Sequence, residues 1–318
     1  MSATEGLTLG IEQGPKPRFA HWTALRRTAL ALYLLAVILW SAEYGIPVQR
    51  ELVIAWVCGA LACTSIGRQP TDIFVLVGDW LPIVAVLALY DFTRGAADSL
   101  GVGVHVQTML DFDRFLFGET PTEWLQDHIN QPGVVNWWDV GFTLTYTSYF
   151  IVPFAVAGAL WIRDRPAFKG FTRRLVSLAI AGVTTYILFP AAPPWMAAQD
   201  GLIDGIQRST GQGWEVIGGG TAGWFSEGQA LGNPVAAVPS LHTAFTALVA
   251  MFLWNRVNPW LRPLLALYPL AMGVTLMATG EHYFFDVLLG YIYAAGVMLA
   301  WGWWERRRAR TRLATLNA

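Results

Sequence analysis

Apolar residues in this chain come in long runs separated by short clusters of charge and glycine, and that spacing predicts helices crossing a bilayer. A transmembrane helix needs about 20 mostly apolar residues. The runs predict eight spans, at approximately 26–44, 51–67, 72–90, 138–162, 172–190, 238–255, 262–279 and 283–304. The third is the most polar, because it contains Asp72, Asp79 and Pro82. The first follows Arg26 and Arg27 as a signal peptide would, but no small-residue cleavage site comes after it, so it reads as an anchor-type helix.

Charge orients these spans. With the N-terminus in the cytoplasm and eight crossings, seventeen of the 21 basic residues fall on the cytoplasmic side, as the positive-inside rule requires. They include Arg26, Arg27, Arg68, Arg165 and the tail arginines from Arg306 to Arg312. The outer side keeps only Arg50, Arg94, Arg114 and Arg208, and the acidic residues show the opposite bias. An odd number of spans would destroy this split, so the third is retained. Many of the sixteen tryptophans sit near span ends, such as Trp137, Trp138 and Trp161, as in an aromatic belt.

Composition agrees. Hydrophobic residues make up 54% of the 318, mean hydropathy is +0.42, and only 14% are charged, against roughly 25% in ordinary soluble proteins. A soluble cytosolic enzyme, a disordered tail protein and a basic nucleic-acid binder are thereby excluded. Cys58 and Cys63 lie in one apolar run, which argues against a disulfide framework, a zinc site or a redox pair. The expectation is an all-α polytopic membrane bundle: a cytoplasmic segment with two additional N-terminal helices at 1–70, a six-helix core at 71–305 and a basic cytoplasmic tail at 306–318.

Two outer segments are long. The first, about 91–137, carries Asp111-Phe-Asp-Arg114 and Pro121-Thr-Glu-Trp124 and predicts short interfacial helices. The second, about 191–237, is rich in glycine, including Gly218 to Gly220. That run is not a phosphate loop, because no strand precedes it and no Gly-Lys-Ser/Thr follows; it reads as a flexible loop for substrate access. Thr143, Thr145, Tyr146, Ser148 and Tyr149 form a polar band in the fourth span, explained first by helix–helix hydrogen bonds and secondarily by a sugar or polyol pocket.

The strongest chemical signal is Pro239-Ser-Leu-His242 followed by Glu281-His282-Tyr-Phe-Phe-Asp286. The topology puts His242 and His282 at the outer ends of their helices, at one depth. His282 and Asp286 are four residues apart, so a helix stacks them on one face. A carboxylate on one imidazole nitrogen fixes the tautomer and raises the basicity of the other. The free nitrogen can attack phosphorus, and a facing histidine can serve as acid and then base. An intramembrane carboxylate is costly and usually functional or paired. His21, His105 and His128 lack such partners in the sequence and read as interfacial residues.

These two runs resemble the second and third motifs of the type-2 phosphatidic acid phosphatase superfamily. Phe189-Pro-Ala-Ala-Pro-Pro-Trp195 resembles the Phe-Pro-x-x-Pro-Pro-Trp signature of its inositol phosphorylceramide synthase branch, which Leu241 also fits. The resemblance covers roughly 140–300, with a weaker extension at Asp79-Trp-Leu-Pro82 and Leu89-Tyr90. It implies that His282 is a nucleophile forming a phosphohistidine, Asp286 its orienting carboxylate, His242 the acid/base partner and Ser240 a phosphate contact through hydroxyl and amide. It also implies that no metal or other cofactor is needed. The superfamily's lysine and Arg-Pro motif is missing from the outer side, and Arg165-Pro166 falls on the cytoplasmic side. The usual Ser-Arg of the third motif is replaced near Thr279-Gly-Glu281. A phosphoryl group nevertheless needs a cation; Arg208 is the first candidate, and Arg114 and Arg94 follow.

The resulting expectation is a plasma-membrane phosphotransferase with an extracytoplasmic site and cytoplasmic termini. It would move a phospho-headgroup, phosphoinositol from phosphatidylinositol, to a hydroxyl-bearing lipid or glycan. The alternative is a lipid phosphatase using the same residues with water as acceptor. A transporter or lipid-binding protein with a vestigial site is disfavoured by the intact His242, His282 and Asp286.

Overall fold

A computed structural model describes residues 20–44, 50–92, 103–131, 133–217 and 233–316. All eight predicted apolar runs are helical. They are α1 (Ala20–Tyr44), α2 (Arg50–Ser65), α3 (Pro70–Phe92), the pair α6 (Asp139–Ser148) and α7 (Val152–Arg163), α8 (Arg165–Leu188), α11 (Leu241–Leu253), α12 (Arg262–Ala278) and α13 (Phe284–Leu316). Shorter helices fill the two long connections: α4 (Gln107–Phe117), α5 (Pro121–His128), α9 (Pro194–Gln199) and α10 (Gln212–Ile217). The described residues contain no strand, only isolated parallel bridges at His105–Ala191 and Ala191–Ala236. The fold is an all-α membrane bundle.

Four segments, Trp22–Ser41, Arg165–Leu188, Pro259–Ala278 and Phe284–Thr315, are long and apolar enough to cross a bilayer, and α6 with α7 makes a fifth when taken as one span. Their outward faces are apolar: Leu32, Ile38, Leu264, Leu267, Leu270 and Leu299 are all exposed. So much exposed apolar surface suits lipid and not water. The protein is a multi-pass integral membrane protein.

The fourth run departs from the expected straight span, because α6 and α7 meet at 46°. Pro153 in the first turn of α7 has no N–H to give and disfavours a helical residue before it. Around the break the amides of Tyr149, Phe150 and Ile151 donate to the carbonyls three residues back, Tyr146, Thr147 and Ser148, at 3.1–3.2 Å. The polar character of α3 is also explained. Asp79 forms an ion pair with Arg165 and accepts a hydrogen bond from Trp161 Nε1 at 3.1 Å. That pairing removes the cost of a lone carboxylate in an apolar helix. The side chain of Asp72 lies outside the described residues.

Helix α11 is the centre of the bundle, packed against α8, α12 and α13. It is apolar nearly all round and almost wholly buried, as expected of a core helix. Gly290 on α13 allows the closest approach: a Cβ there would collide with Thr243 and the Ser240 carbonyl. The N-termini of α11 and α13 consequently lie side by side, tied by Ser240 N–H donating to the Asp286 carbonyl at 3.0 Å.

Candidate active site

Two helix N-termini define the site. Ser240 caps α11, its Oγ accepting from Thr243 N at 3.4 Å, and it is fully buried. Its amide, which the family resemblance assigns to phosphate, donates to Asp286 instead. His242 follows in the first turn of α11. Its ring packs on Tyr149 at 4.2 Å and Tyr146 at 4.9 Å between centroids. The bend between α6 and α7 thus brings two members of the polar band onto the histidine. Of the other members, Ser148 makes the expected interhelical bond, to the Tyr268 hydroxyl at 2.9 Å, and Thr143 Oγ1 donates to the Thr210 carbonyl, on the loop before α10, at 2.8 Å.

His282 precedes α13 in a tight turn. Gly280 at φ +75° permits that turn, and the amides of Glu281 and His282 both donate to the Leu276 carbonyl. His282 Nδ1 lies 3.3 Å from Asp286 Oδ2, which also accepts from Tyr283 N at 3.0 Å. The His242 and His282 rings are 5.8 Å apart between centroids. His242 Nε2 and Asp286 Oδ1 are buried without a hydrogen-bond partner. Buried polar atoms rarely go unsatisfied in a finished structure, so a ring nitrogen in this condition beside a second histidine is suited to engaging a substrate.

Arg208, on the loop between α9 and α10, is the candidate cation that reaches this centre. It donates to Glu281 through Nε at 2.7 Å and a terminal nitrogen at 3.1 Å. Its guanidinium lies 5.1 Å over the Trp195 ring. Burial disfavours its charge, but Glu281 and Tyr146 outweigh that and hold it above its ordinary range. Arg114 instead sits on the exposed end of α4, 3.3 Å from Glu123. Arg94 and the Gly218–Gly220 run lie outside the described residues, as does the side chain of His21. His105 stacks on Phe189 at 3.9 Å, and His128 Nδ1 is 2.9 Å from the Trp124 carbonyl. Arg165-Pro166 begins α8 at the end far from Tyr186, whose hydroxyl donates to the Pro239 carbonyl. That interval of α8 is roughly 30 Å long, so Arg165 cannot serve the histidines.

The Phe189–Trp195 signature has a structural role here. Ala191 N donates to the Val235 carbonyl at 2.8 Å, Ala237 N to the Ala191 carbonyl at 3.2 Å, and Trp195 N to the Gly280 carbonyl at 3.1 Å. The signature therefore ties the approach to His242 to the turn that carries His282.

Several supporting residues were not singled out from sequence. Thr122, Gln126 and Asn130 recur every four residues along the buried face of α5 and its C-terminal extension. Thr122 Oγ1 donates to the His282 carbonyl at 3.1 Å. Gln126 bonds Gln207 and the Ala278 carbonyl, and Asn130 bonds Ser209 and the same carbonyl. This polar stripe fastens the Arg208 loop to the His282 turn; its period of four, on a helix whose Trp124 faces outward, was the available signal.

Asp113 of α4 is the other. Tyr283, just before α13, has no short acceptor side chain to cap that helix. Asp113, fully buried, accepts from Phe284 N at 2.8 Å and Phe285 N at 3.0 Å, so a different helix supplies the cap. Burial pushes its carboxyl up to about 6, against the pull of the two amides. A raised carboxyl pKa means the folded state holds the proton more tightly. The contribution of this group to stability therefore declines as pH rises from about 4 to about 6. Asp113→Asn keeps one acceptor and cannot titrate. We expect it to lower kcat about ten-fold through displacement of the His282 turn, with little change in KM. Thermal melts in detergent should lose the wild-type decline over that pH interval; an unchanged pH profile and unchanged kcat would contradict the capping role.

Among the described residues no group of three or more His, Cys, Asp or Glu side chains could hold a metal ion.

With this geometry in view, the class is clear: residues 107–314 match the PAP2 superfamily, and the chain belongs to that family. It is a membrane protein of the lipid phosphatase and phosphotransferase group. It is also similar to the phosphoinositol dihydroceramide synthase of Bacteroides thetaiotaomicron, with 26% identity over 298 residues, spanning 87% of this chain and 89% of that protein. No solved structure matches it.

Proposed function

We propose that this protein is a membrane phosphotransferase that moves phosphoinositol from phosphatidylinositol to a hydroxyl-bearing lipid or glycan through a phosphohistidine at His282. The observation carrying this reading is the pair of histidine rings 5.8 Å apart, with Asp286 3.3 Å from His282 Nδ1. Asp286 keeps the proton on Nδ1, so the Nε2 lone pair faces the substrate. That nitrogen attacks phosphorus, the bond from phosphorus to the diacylglycerol oxygen breaks, and protonated His242 gives its Nε2 proton to the leaving oxygen. Neutral His242 then takes the proton of the acceptor hydroxyl, whose oxygen attacks phosphorus and breaks the P–N bond. His282 is regenerated, and diacylglycerol and the phosphoinositol-bearing acceptor are the products.

Charge on the transferring group is met by Arg208 and by the N-terminus of α11, where the helix dipole favours anions. A phosphodiester carries one negative charge and a phosphomonoester nearly two, so a single guanidinium already shared with Glu281 suits the diester. The name of the bacterial relative supports phosphoinositol as the transferred group and makes dihydroceramide the first acceptor to try. In this reading 71–305 is the catalytic core, α1 and α2 lie outside it, and 306–318 is a basic tail. The arginine-rich end of the bundle faces the cytoplasm, and the histidines face the outside of the plasma membrane.

Purified protein given headgroup-labelled phosphatidylinositol and dihydroceramide should pass label to the acceptor in step with diacylglycerol release. In sealed right-side-out vesicles, externally supplied substrates should be turned over. Inositol phosphate released to water independently of acceptor would make the protein a phosphodiesterase, and inorganic phosphate released from phosphatidic acid alone would make it a lipid phosphatase instead.

A further inference from the structure

At the end of the bundle away from the histidines, four arginines converge on one cavity of about 320 Å³. Arg26 and Arg27 come from α1, Arg68 from the turn after α2 and Arg165 from the start of α8, with Trp161 of α7 forming a wall between them. The Arg68 guanidinium lies 5.4 Å from the Trp161 ring centroid and that of Arg165 5.9 Å. Stacking of this kind holds guanidinium planes in place and leaves their edges to donate.

Among the described residues the local carboxylates do not balance this charge. Asp79 is engaged by Arg165 and by Trp161 Nε1. Asp164 caps α8, accepting from Ala167 N at 3.0 Å. Arg26 and Arg68 each donate Nε to the carbonyl four residues back, of Trp22 and Thr64, and both line the cavity. Like charges from three segments of the chain are drawn together, which is unfavourable unless an anion joins them. The cavity also has apolar sides, Leu30 and the exposed Ile162, on its lining. Guanidinium groups match phosphoryl oxygens in pairs, and apolar sides suit acyl chains.

We propose that this cavity binds a phosphoryl anion, as the headgroup of an anionic membrane lipid or as free phosphate, and so joins α1 and the α2–α3 turn to α7 and α8. It is separate from the histidine centre, since the length of α8 lies between them, roughly 30 Å. The site gives α1 and α2 a role that no motif in them suggests: they complete a lipid-responsive clamp on the catalytic bundle.

Thermal melts of the full chain in neutral detergent test this, with titration of dioctanoyl phosphatidylglycerol, dioctanoyl phosphatidylcholine and inorganic phosphate. Wild type should be stabilised by phosphatidylglycerol and not by phosphatidylcholine. His282→Ala should respond as wild type does, which separates this site from the catalytic one. Arg27→Gln/Arg68→Gln should need at least ten-fold more phosphatidylglycerol for half its effect, and Arg68→Lys, which keeps the charge but loses the paired donors, should fall between. Equal stabilisation by inorganic phosphate would identify the free anion as the ligand; its failure would identify the lipid. An unchanged response in both arginine variants, no response in wild type, or an equal response to phosphatidylcholine would overturn the proposal.

Discussion

Replacing His282 with alanine is expected to lower transfer by at least about 10⁴-fold, the scale seen when a nucleophile is removed from a group that acts as a unit. His282 is the histidine with a carboxylate on its Nδ1 side, at 3.3 Å, so its Nε2 is the nitrogen prepared to attack. Among the described residues His242 has no carboxylate partner, and its Nε2 is buried unpaired. The alanine variant also strips Asp286, which is fully buried, of its imidazole, and a buried carboxylate losing a partner destabilises the fold. His282→Asn separates the two effects. Its amide keeps a donor for Asp286 and offers no nucleophile, so it should melt close to wild type and be equally inactive. Substantial turnover by the asparagine variant would remove His282 from the chemistry.

His242→Ala should slow transfer by about 10²- to 10⁴-fold, the usual worth of a positioned general acid and base. The loss should divide unevenly with the leaving group. A diacylglycerol oxygen needs a proton as it departs, whereas a nitrophenolate does not. With a nitrophenyl phosphodiester the first step should therefore recover in the variant, while the second still lacks its base. The expected record is a burst of about one nitrophenol per active site followed by slow turnover. Absence of a burst, with both steps slowed alike, would assign His242 to packing against Tyr146 and Tyr149 and not to proton transfer.

The parts of this site legible in the sequence are those governed by local spacing. His282 and Asp286 are one helical turn apart, and hydropathy alone puts His242 and His282 at matching helix ends, so the pair could be anticipated without coordinates. All eight apolar runs could be anticipated as helices for the same reason. What escaped depends on contacts between distant segments. Asp113 lies 171 residues before the amide of Phe284 that it caps, and no local pattern marks a cap supplied by another helix. Gln126 and Asn130 meet the Arg208 loop and the end of α12 only in the folded chain. The bend at Tyr149–Ile151 had a local sign in Pro153, yet an apolar run continuing through it reads as one span by hydropathy. Ser240 shows the reverse difficulty: its place in the motif is evident, but its amide is committed to Asp286 by the close approach of α11 and α13.

The central claim is that the phosphoryl group passes through His282, and trapping the intermediate tests it most directly. Wild-type protein mixed with phosphatidylinositol labelled in phosphorus and inositol, without acceptor, is quenched in base within the first turnover and digested. The account predicts both labels together on the peptide containing His282, stable to base, lost in acid, and discharged when acceptor is added before the quench. Label on any other residue, or normal transfer with no labelled protein at any time before the first turnover, would contradict it.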